Sequence, residues 1–490
     1  MQKKSISLGG RGTIMMLYQF FGFGVYCAIN QIGQNIYPMI HGGTLDSNSV
    51  ALWYFLGSVL AVLIQLIIGK KIANSGHLKG ISITLMILAG LFSIAMAFTG
   101  ENKALWLACW FIGVTLSVVG ATFIISTMVG QWFPTRKGTV MGIATLAFPI
   151  FNAFTLTVFL GLYTNFDLLT KLGVTPGSAV HEIVAWAPFL LVDLICILLC
   201  VFFLKEFPEQ CGCYPDNDKN MTPEAAHAML AAMEEAKKKS VWSIGKTFKS
   251  WGFWVIGIST GILLIGSVGP MTQIMPLLSS VGGEKLVVGN APTTEGNIIL
   301  WVFAAIGCAG SWLIGILDTK VGTKKAIILS LAIMIASTAI LTAVALANPE
   351  CGMLPISQGT TMILFYIGFG CLQIFMGASS NFTVSAAAQY WRREDFPSVF
   401  AFVNAIANII NAAGPFLLTS LRSAAGKTIF GDTYTIAWAV LCLLAIFSII
   451  IMAAFKPSWI SKRDAKYRAE AGLAAEGVTK SASEQMGEAD

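Results

Sequence analysis

Amide and phenol side chains interrupt two long apolar stretches of this sequence at helical spacing. Tyr26, Asn30 and Gln34 recur at i, i+4 and i+8, which places them on one face of a helix. A second stripe of this kind consists of Asn404, Asn408 and Asn411. An amide has two N–H donors and an acceptor oxygen. Each stripe can therefore bind a polar solute without carrying charge, or can hydrogen-bond a neighbouring helix.

A pair of cysteines in the middle of the chain looks like half of a metal site. Cys211 and Cys213 lie in the sequence EFPEQCGCYPDN, separated by one glycine and close to acidic residues. Because there is no further cluster of Cys or His nearby, the pair supplies too few ligands for a closed zinc site. The other cysteines are scattered, several of them in apolar runs, where cysteine packs as a small hydrophobe. We therefore expect no metal and no cofactor.

The composition indicates which elements must position these side chains. The chain has 490 residues, of which 56% are hydrophobic and 11% are charged, and its mean hydropathy is +0.73. A soluble domain carries about a quarter charged residues, so lipid is the expected solvent for most of this surface. Twelve apolar runs reach the length that a membrane-spanning helix needs. These predicted spans, numbered 1 to 12, are 13–40, 48–69, 80–99, 104–130, 138–164, 184–204, 251–277, 297–317, 325–346, 359–389, 397–421 and 434–455.

The basic residues lie almost entirely on one side of this map. Of the 31 Lys and Arg, only five fall on the side opposite the termini. Short loops rich in Lys and Arg stay in the cytoplasm, so we predict a multi-pass protein of the cytoplasmic membrane with both termini cytoplasmic. The net charge of +6 reflects this asymmetry. We expect the lipid bilayer as a partner, and no nucleic acid.

A charged segment divides the spans six and six. The predicted parts are an N-terminal half 1–204, a cytoplasmic linker 205–250, a C-terminal half 251–455 and a cytoplasmic tail 456–490. In the linker, Thr222, Pro223 and Glu224 are typical of a helix start and predict a short helix to about Lys239. The Ala-, Glu- and Lys-rich tail is predicted to be helical at first and then disordered.

The two halves repeat a glycine pattern in matching turns. After span 2, Gly69 and Gly76 lie seven residues apart, and after span 8, Gly315 and Gly322 do the same. Two six-helix halves with matching turns on one side are typical of a transporter built from parallel repeats.

These turns resemble those of the major facilitator superfamily, whose pattern after the second helix is G-x-x-x-D-R-x-G-x-R/K-R/K. In the first copy Gly69, Gly76 and Lys79 fit, while Ala73 replaces the acid and Asn74 replaces the base. This departure puts in question, for the first copy, the charge relay that the acid supports in the family.

The second copy of the turn fits the family pattern differently. Gly315, Lys320, Gly322 and Lys325 match, and Asp318 lies one place earlier than the acid of the pattern. The resemblance implies that these turns take part in the conformational change between the halves.

Two further segments resemble one branch of the superfamily. The linker sequence PEQCGCYPD fits a P-E-x-x-G-x-x-P-D segment of organic-anion branches, and WFPTRKG at 132–138 is similar to the turn between helices 4 and 5 of the oxalate/formate antiporter and monocarboxylate transporter branch. The resemblance implies an all-α integral membrane fold with twelve transmembrane helices in two six-helix pseudo-repeats. The turn residues to which it assigns a conformational role are Gly69, Gly76, Gly315, Asp318, Gly322 and Arg136.

The resemblance also implies a binding site near the membrane midplane, on spans 1, 4, 7 and 10 with contributions from spans 2, 5, 8 and 11. The candidate substrate-binding residues in these spans are Tyr26, Asn30, Gln34, Asn152, Gln373, Asn381, Asn404, Asn408 and Asn411. Any one of them is equally well explained as a hydrogen-bonding contact between helices. For the two stripes taken together we favour the cavity.

One acidic residue, Asp193, lies deep in span 6. An intramembrane carboxylate is a functional hypothesis by default, and desolvation raises the pKa of such a group towards a proton-carrying range. Asp193 is therefore a coupling candidate. Since span 6 is peripheral in the superfamily, the alternative is a structural acid that is neutral or hydrogen-bonded.

These observations favour a secondary active transporter, a symporter or antiporter, that moves a small organic acid or monocarboxylate by alternating access. Its partners would be a small-molecule substrate and a proton or counter-substrate, and we expect a monomer. Because no Lys or Arg lies deep in any span, the alternative is a transporter or exporter of a neutral or amphipathic compound. A membrane enzyme is disfavoured because the four histidines lie at or outside span ends, and a sensor because the tail is too small for an output domain.

Overall fold

The computed structural model describes residues 8–473 except 43, 74, 100, 134–136, 219–220, 223, 226–227, 229–230, 232–234, 236–239, 289–290, 350, 393–394 and 425–432. Most of the predicted linker helix lies outside the described residues. Its start is described: the Thr222 hydroxyl accepts a hydrogen bond from the Ala225 N–H at 3.2 Å, as an N-cap residue does.

Twelve helices in the described residues are long and apolar enough to cross a membrane, which confirms the predicted number of spans. Their outer faces carry large exposed apolar side chains, such as Ile67 and Phe202, which lipid accommodates and water does not. Spans 1, 4, 5, 7 and 10 bury more of their residues than the other spans, so these five form the interior of the bundle. The spans are Gly9–Ile40, Ser47–Gly69, Leu78–Ala97, Lys103–Trp132, Thr139–Tyr163, Ala179–Phe203, Trp251–Met271, Thr294–Val321, Thr323–Leu346, Gln358–Tyr390, Ser398–Arg422 and Thr435–Ala454.

Two interior spans, predicted as continuous, are interrupted by proline. Proline lacks an N–H and its ring clashes with the carbonyl four residues earlier. In span 7, Pro276 leaves the Thr272 carbonyl without its helical donor, and the helix breaks between the segments Trp251–Met271 and Ile274–Gly282. The Gln273 Nε2 donates to that carbonyl at 2.9 Å. Span 5 breaks in the same way four residues before Pro149, between Lys137–Ala144 and Ala147–Tyr163.

Span 10 is interrupted without a proline. It consists of Gln358–Gln373 and Met376–Tyr390. At the break, the Gly377 N–H donates to the Ser311 hydroxyl of span 8 at 2.9 Å. A partner on another helix thus takes the place of the backbone acceptor within the helix.

Spans 1 and 4 each contain a π-helical segment. In span 1 the π segment Ile32–Ile36 separates Gly9–Gln31 from Tyr37–Ile40, and it ends two residues before Pro38. In span 4 the segment Val118–Ile124 separates Lys103–Ser117 from Ile125–Trp132. Single π turns inside α-helices are frequent at functional sites.

The two halves repeat the same turn on the side of the membrane that carries the linker and the tail, here called the terminal face. Gly76 and Gly322 have φ of +69° and +85°, a conformation that favours glycine. The second residue of the next helix in each half is a lysine that donates to carbonyls at the end of another span. Lys79 binds the carbonyl of Leu204 at 2.8 Å, and Lys324 binds that of Phe455 at 2.7 Å. These matched caps show the pseudo-repeat in the structure.

The linker stretch that holds the two cysteines forms a turn against the first half. Pro208–Cys211 is one 3₁₀ turn, and Gly212 ends it with φ of +68°. The Arg11 side chain donates to the Cys211 carbonyl. The glycine of the P-E-x-x-G segment is thus explained by the backbone conformation of this turn.

The remaining elements are short or lie outside the spans. The tail begins with the helix Ser458–Glu470, as its composition predicted. Two residue pairs, Val287–Val288 (β1) and Ala291–Pro292 (β2), form an antiparallel ladder before span 8. Spans 2 and 11 extend as helices to Ser47–Ala73 and Phe396–Ala424. The other short helices are Phe166–Lys171, Pro215–Asn217, Ile244–Phe248 and Gly283–Lys285.

Candidate functional site

A chain of amides leads from span 5 through span 1 to the break of span 7. The Gln31 Nε2 donates to the Asn152 Oδ1 at 2.8 Å, and the Asn35 Nδ2 donates to the Gln31 Oε1 at 2.5 Å. The same Asn35 Nδ2 also donates to the Met271 carbonyl at 2.9 Å. Met271 is the last residue of the first segment of span 7. The π segment of span 1 is therefore hydrogen-bonded to an interruption in the second half of the chain.

Two more polar contacts between the halves also lie at interruptions. The Asn381 Nδ2 of span 10 donates to the Thr145 hydroxyl, in the break of span 5, at 3.2 Å. The Asn152 Nδ2 lies 3.7 Å from the sulfur of Met376, the first residue of the second segment of span 10. Irregular backbone inside a membrane is tolerated where it is buried in protein or lines a cavity. The interruptions of spans 1, 5, 7 and 10 thus converge between the halves.

The contacts of neighbouring residues define the direction in which Asn30 and Gln34 point. Gly33 lies against the Trp110 ring of span 4, and Gln31 is bonded to span 5. On a helical surface, positions 30 and 34 lie between those two directions. Both side chains face the interior, with 6% and 3% of their surface exposed.

Several buried amide atoms of this region have no hydrogen-bond partner among the described residues. Buried polar side-chain atoms are normally hydrogen-bonded, and an unmet one costs about 1–3 kcal/mol. Atoms of this kind on spans 1, 10 and 11 indicate places where a polar ligand or water can bind. These atoms are the Asn30 Oδ1, the Gln34 Nε2 and Oε1, the Asn35 Oδ1, the Gln373 Nε2 and the Asn411 Oδ1.

Three further predicted site residues, on spans 1 and 11, have partners within the protein. The Tyr26 hydroxyl lies 3.1 Å from that of Tyr54, and the Asn404 Oδ1 accepts from the Thr383 hydroxyl at 3.2 Å. The Asn408 Nδ2 donates to the Asn404 carbonyl of its own helix at 2.9 Å. The stripe of span 11 is therefore divided, because two of its amides are already hydrogen-bonded while the Asn411 oxygen has no partner among the described residues.

Asp193 lies between spans 6 and 3. A Cβ added to Gly90 of span 3 would lie 2.9 Å from the Asp193 Oδ2, so the glycine makes room for the carboxyl. The side chain is buried, and its Oδ1 has no partner among the described residues. The structure does not bring it together with the amides between the halves.

The predicted turn residues lie at the terminal face. Gly69 packs against the Phe123 ring of span 4, and Gly315 has open space around it. The Gly322 N–H donates to the Asp318 carbonyl at 3.0 Å, while the Asp318 Oδ1 has no described partner. Arg136 lies outside the described residues.

Sequence reasoning missed two central residues, Gln31 and Asn35. Amides occur as adjacent pairs in span 1, at positions 30–31 and 34–35, so two faces of the helix are polar, and the prediction followed only one. The adjacent pairs four residues apart were the signal that could have revealed the second face.

A second missed cluster lies on the side of the membrane opposite the terminal face. Glu182 of span 6 accepts from the Tyr37 hydroxyl at 2.7 Å and pairs with the His41 Nε2 at 2.8 Å. Its carboxyl borders a cavity of about 210 Å³ that Lys103 and Trp106 also line. The cluster fastens the last segment of span 1 to span 6.

A hydrogen-bonded chain connects Arg422 to the break of span 7. Its guanidinium donates to the Tyr434 hydroxyl at 3.1 Å, and that hydroxyl donates to the Gln273 Oε1 at 3.0 Å. The guanidinium carbon lies 4.9 Å from the Tyr434 ring centroid, where ring and cation attract.

Comparison with known proteins identifies the family. A family model described as Major Facilitator Superfamily matches residues 10–380. The chain belongs to this superfamily. It is a multi-pass membrane protein and a transporter, not an enzyme. No curated protein sequence matches the chain.

Solved structures with the same fold are distant in sequence. One is a bacterial homologue of the human lysosomal transporter Spinster, inward-facing and unoccupied, with 17% identity, a TM-score of 0.58 and coverage of 95% of this chain and 98% of that one. The proton:xylose symporter XylE has 11% identity, a TM-score of 0.64 and coverage of 93% and 98%. The nucleoside transporter NupG has 12% identity, a TM-score of 0.57 and coverage of 91% and 99%. At these identities the likeness defines the fold and leaves the substrate open.

Proposed function

We propose that this protein is a secondary active transporter that moves a small organic solute across the cytoplasmic membrane by alternating access. The observation that carries the proposal is the set of buried amide atoms on spans 1, 10 and 11 that have no partner among the described residues, together with the contacts between the halves at the interruptions of spans 1, 5, 7 and 10. Parallel-repeat transporters bind their substrate at the repeat interface and rock the halves around it.

The solute class that we propose is a small organic acid or monocarboxylate. Its support is the resemblance of the linker and of the turn after span 4 to organic-anion branches. The alternative, a neutral or amphipathic compound, is favoured by one observation. The unpartnered groups between the halves are uncharged amides, and a carboxylate bound without a fixed cation is held less tightly than by a guanidinium fork.

The orientation that we propose places both termini in the cytoplasm, because the loops on that side carry nearly all the Lys and Arg. We propose a monomer as the transporting unit, since the pathway runs between the halves of one chain. Labelling of a cysteine at position 237 from outside intact cells would contradict the orientation.

Purified protein in proteoliposomes tests the function directly. We expect saturable uptake of a radiolabelled organic acid or neutral polar solute under an imposed pH gradient, and counterflow without a gradient. If Asp193 carries the coupled proton, Asp193→Asn will remove the dependence on the gradient and leave counterflow intact.

Matched controls separate transport from leakage. Liposomes without protein should show only the background flux, and liposomes with the Gln34→Leu variant should show reduced uptake at low solute concentration. If the protein moved none of a broad panel of acids and neutral solutes in either mode, the proposal would fail. Unaltered proton dependence in Asp193→Asn would remove only the coupling assignment.

A further inference from the structure

We infer that the solute binds as a hydrogen-bond donor in an uncharged form, through hydroxyl, amide N–H or protonated carboxyl groups, and not as a carboxylate. This inference rests on the proposed function, because it concerns the same site between the halves. It depends on which atom of each central amide is left without a partner.

The orientation of the Asn35 amide is determined by its nitrogen. The Nδ2 donates to two acceptors, the Gln31 Oε1 at 2.5 Å and the Met271 carbonyl at 2.9 Å. Turning the amide over would place its oxygen against two other oxygens, so the unpartnered atom is the acceptor Oδ1. With 1% of its surface exposed, Asn35 offers a lone pair and has no donor left to offer.

Asn30 is restricted in the same way. Its Nδ2 donates to the Tyr26 carbonyl one turn earlier at 2.9 Å, and its Oδ1 has no described partner. An amide oxygen that faces the interior beside Gln34 is a second fixed acceptor.

Gln34 adds a group that can serve either role. Both its Oε1 and its Nε2 lack partners among the described residues, and the side chain is buried in the π segment of span 1. That segment packs against spans 2 and 5 and against the second segment of span 7. This amide can accept from a solute donor or donate to a solute oxygen, as a hydroxyl or a primary amide requires.

The acceptors decide the chemical class. An ionised carboxylate has only acceptor oxygens, so among the unpartnered atoms in the described part of the chain it could use the Gln34 and Gln373 Nε2 groups but would leave the Asn30 and Asn35 oxygens unmet. A cation would supply donors, but a buried charge in a membrane needs a counter-charge, and the amides that define this site carry none. A neutral solute that carries both donors and an acceptor can meet such oxygens as well as the Nε2 groups. An organic acid would satisfy them in its protonated form, which delivers one proton with each molecule.

Matched pairs of small compounds test the inference. We would measure the shift in melting temperature of the full-length detergent-purified protein at pH 8 with nicotinate and nicotinamide, benzoate and benzamide, and lactate and lactamide. The amides should stabilise the protein and the carboxylates should not. On lowering the pH towards the pKa of each acid, stabilisation by the acid should appear while that by the amide stays constant.

Variants assign the effect to the acceptors. Gln34→Leu should weaken amide binding about three- to tenfold, since one hydrogen bond between neutral groups is lost. Gln34→Glu keeps acceptor oxygens and should retain amide binding. Asn404→Ala is the matched control, because the acceptor of Asn404 already binds Thr383, and it should leave amide binding unchanged.

Two results would overturn the inference. One is stabilisation at pH 8 by the carboxylate and not by the amide of a pair, and the other is the absence of stabilisation by every amide in the panel. Uptake of a carboxylate in the liposome assay would in either case leave the proposed transport function standing. Failure of all transport would instead remove the function itself.

Discussion

Asp395 on the terminal face and Asn35 at the centre of the bundle are both buried, yet their surroundings differ. The Asp395 carboxylate has no exposed surface and accepts from the Ser240 hydroxyl at 2.7 Å, the Val241 N–H at 2.9 Å and the Arg468 Nη2 at 2.7 Å. At the centre, by contrast, the Asn35 Oδ1 has no partner in the described part of the chain.

The Asp395 cluster continues through a second carboxylate. Asp464 accepts from the Arg468 Nε at 3.0 Å and from the Arg392 Nε at 3.1 Å, and its other oxygen accepts from the Trp242 Nε1 at 3.0 Å. The network joins the end of the linker, the turn between spans 10 and 11, and the tail helix Ser458–Glu470. It therefore holds the tail and the end of the linker to the second half.

The difference teaches how buried polar groups can be assigned to roles in this molecule. A charge removed from water must be paired and hydrogen-bonded, and the terminal cluster meets that demand within the chain, so its role is structural. The central amides are uncharged, cost less to bury, and leave acceptors open. For these two regions, paired and hydrogen-bonded charges indicate a structural connection, and uncharged amides with acceptors open among the described residues indicate a place for a ligand.

The largest effect on stability should come from disrupting the buried ion pair between Asp395 and Arg468. Arg468→Met leaves the Asp395 carboxylate buried without its cation, and removing one partner of a buried pair costs about 3–5 kcal/mol. We expect a marked fall in melting temperature, measured in detergent, with no change in solute affinity. Lys462→Met, an exposed position of the same tail helix, should leave the melting temperature where it was. An Arg468 variant as stable as the unaltered protein would refute the structural role.

The stripe of span 11 allows the comparison to be made within one helix. Asn404→Ala removes the acceptor of Thr383 and should lower stability by about 0.6–2 kcal/mol, without altering the affinity for solute. Asn411→Ala removes an oxygen that has no described partner, so it should weaken solute binding and barely change the melting temperature of the empty protein. Ligand-induced stabilisation, compared with the baseline melting temperature of each variant, separates the two. If both variants only lowered the baseline, Asn411 would be a contact between helices.

The twelve spans could be predicted from length and hydropathy alone, but the interruptions could not. Pro276 and Pro149 each follow a break, whereas Pro188 and Pro415 lie inside continuous helices, because whether a helix tolerates proline depends on what satisfies the freed carbonyl. The break in span 10 contains no proline and involves a hydroxyl of span 8, Ser311. That contact joins two helices that are distant in sequence, so the spacing of residues does not predict it.

For the candidate site, the sequence indicated which residues share a helical face but not which of them have partners. Spacing placed Asn30 and Gln34 on one helical face, since a face depends only on periodicity, and both side chains are buried in the structure. It could not tell which amides had partners, because the partners of Asn404 and of Asn35 come from other spans. The connection from Asn35 to Met271 requires span 7 to end there, so the site could not be seen before the interruption was known.

The smallest expected effect concerns an ion pair that is exposed, which completes the comparison with the buried clusters. Asp46, just before span 2, lies 2.5 Å from the Lys103 Nζ and accepts from the N–H and hydroxyl of Ser49 at 2.7 and 2.8 Å. Partial burial opposes ionisation, but the hydrogen bonds from Lys103 and Ser49 outweigh it and lower the pKa of Asp46 to about 2. A lowered pKa in the folded state means stability that is present above the unfolded pKa of about 4 and is lost as the pH falls through about 2.

Because 53% of the Asp46 side chain is exposed, we expect the ion pair to contribute less than about 1 kcal/mol to the free energy of unfolding. The difference in melting temperature between the unaltered protein and Asp46→Asn should be constant above pH 5 and should close between pH 4 and pH 2. A difference that widened on acidification would show that the pair does not stabilise the fold through the ionised carboxylate.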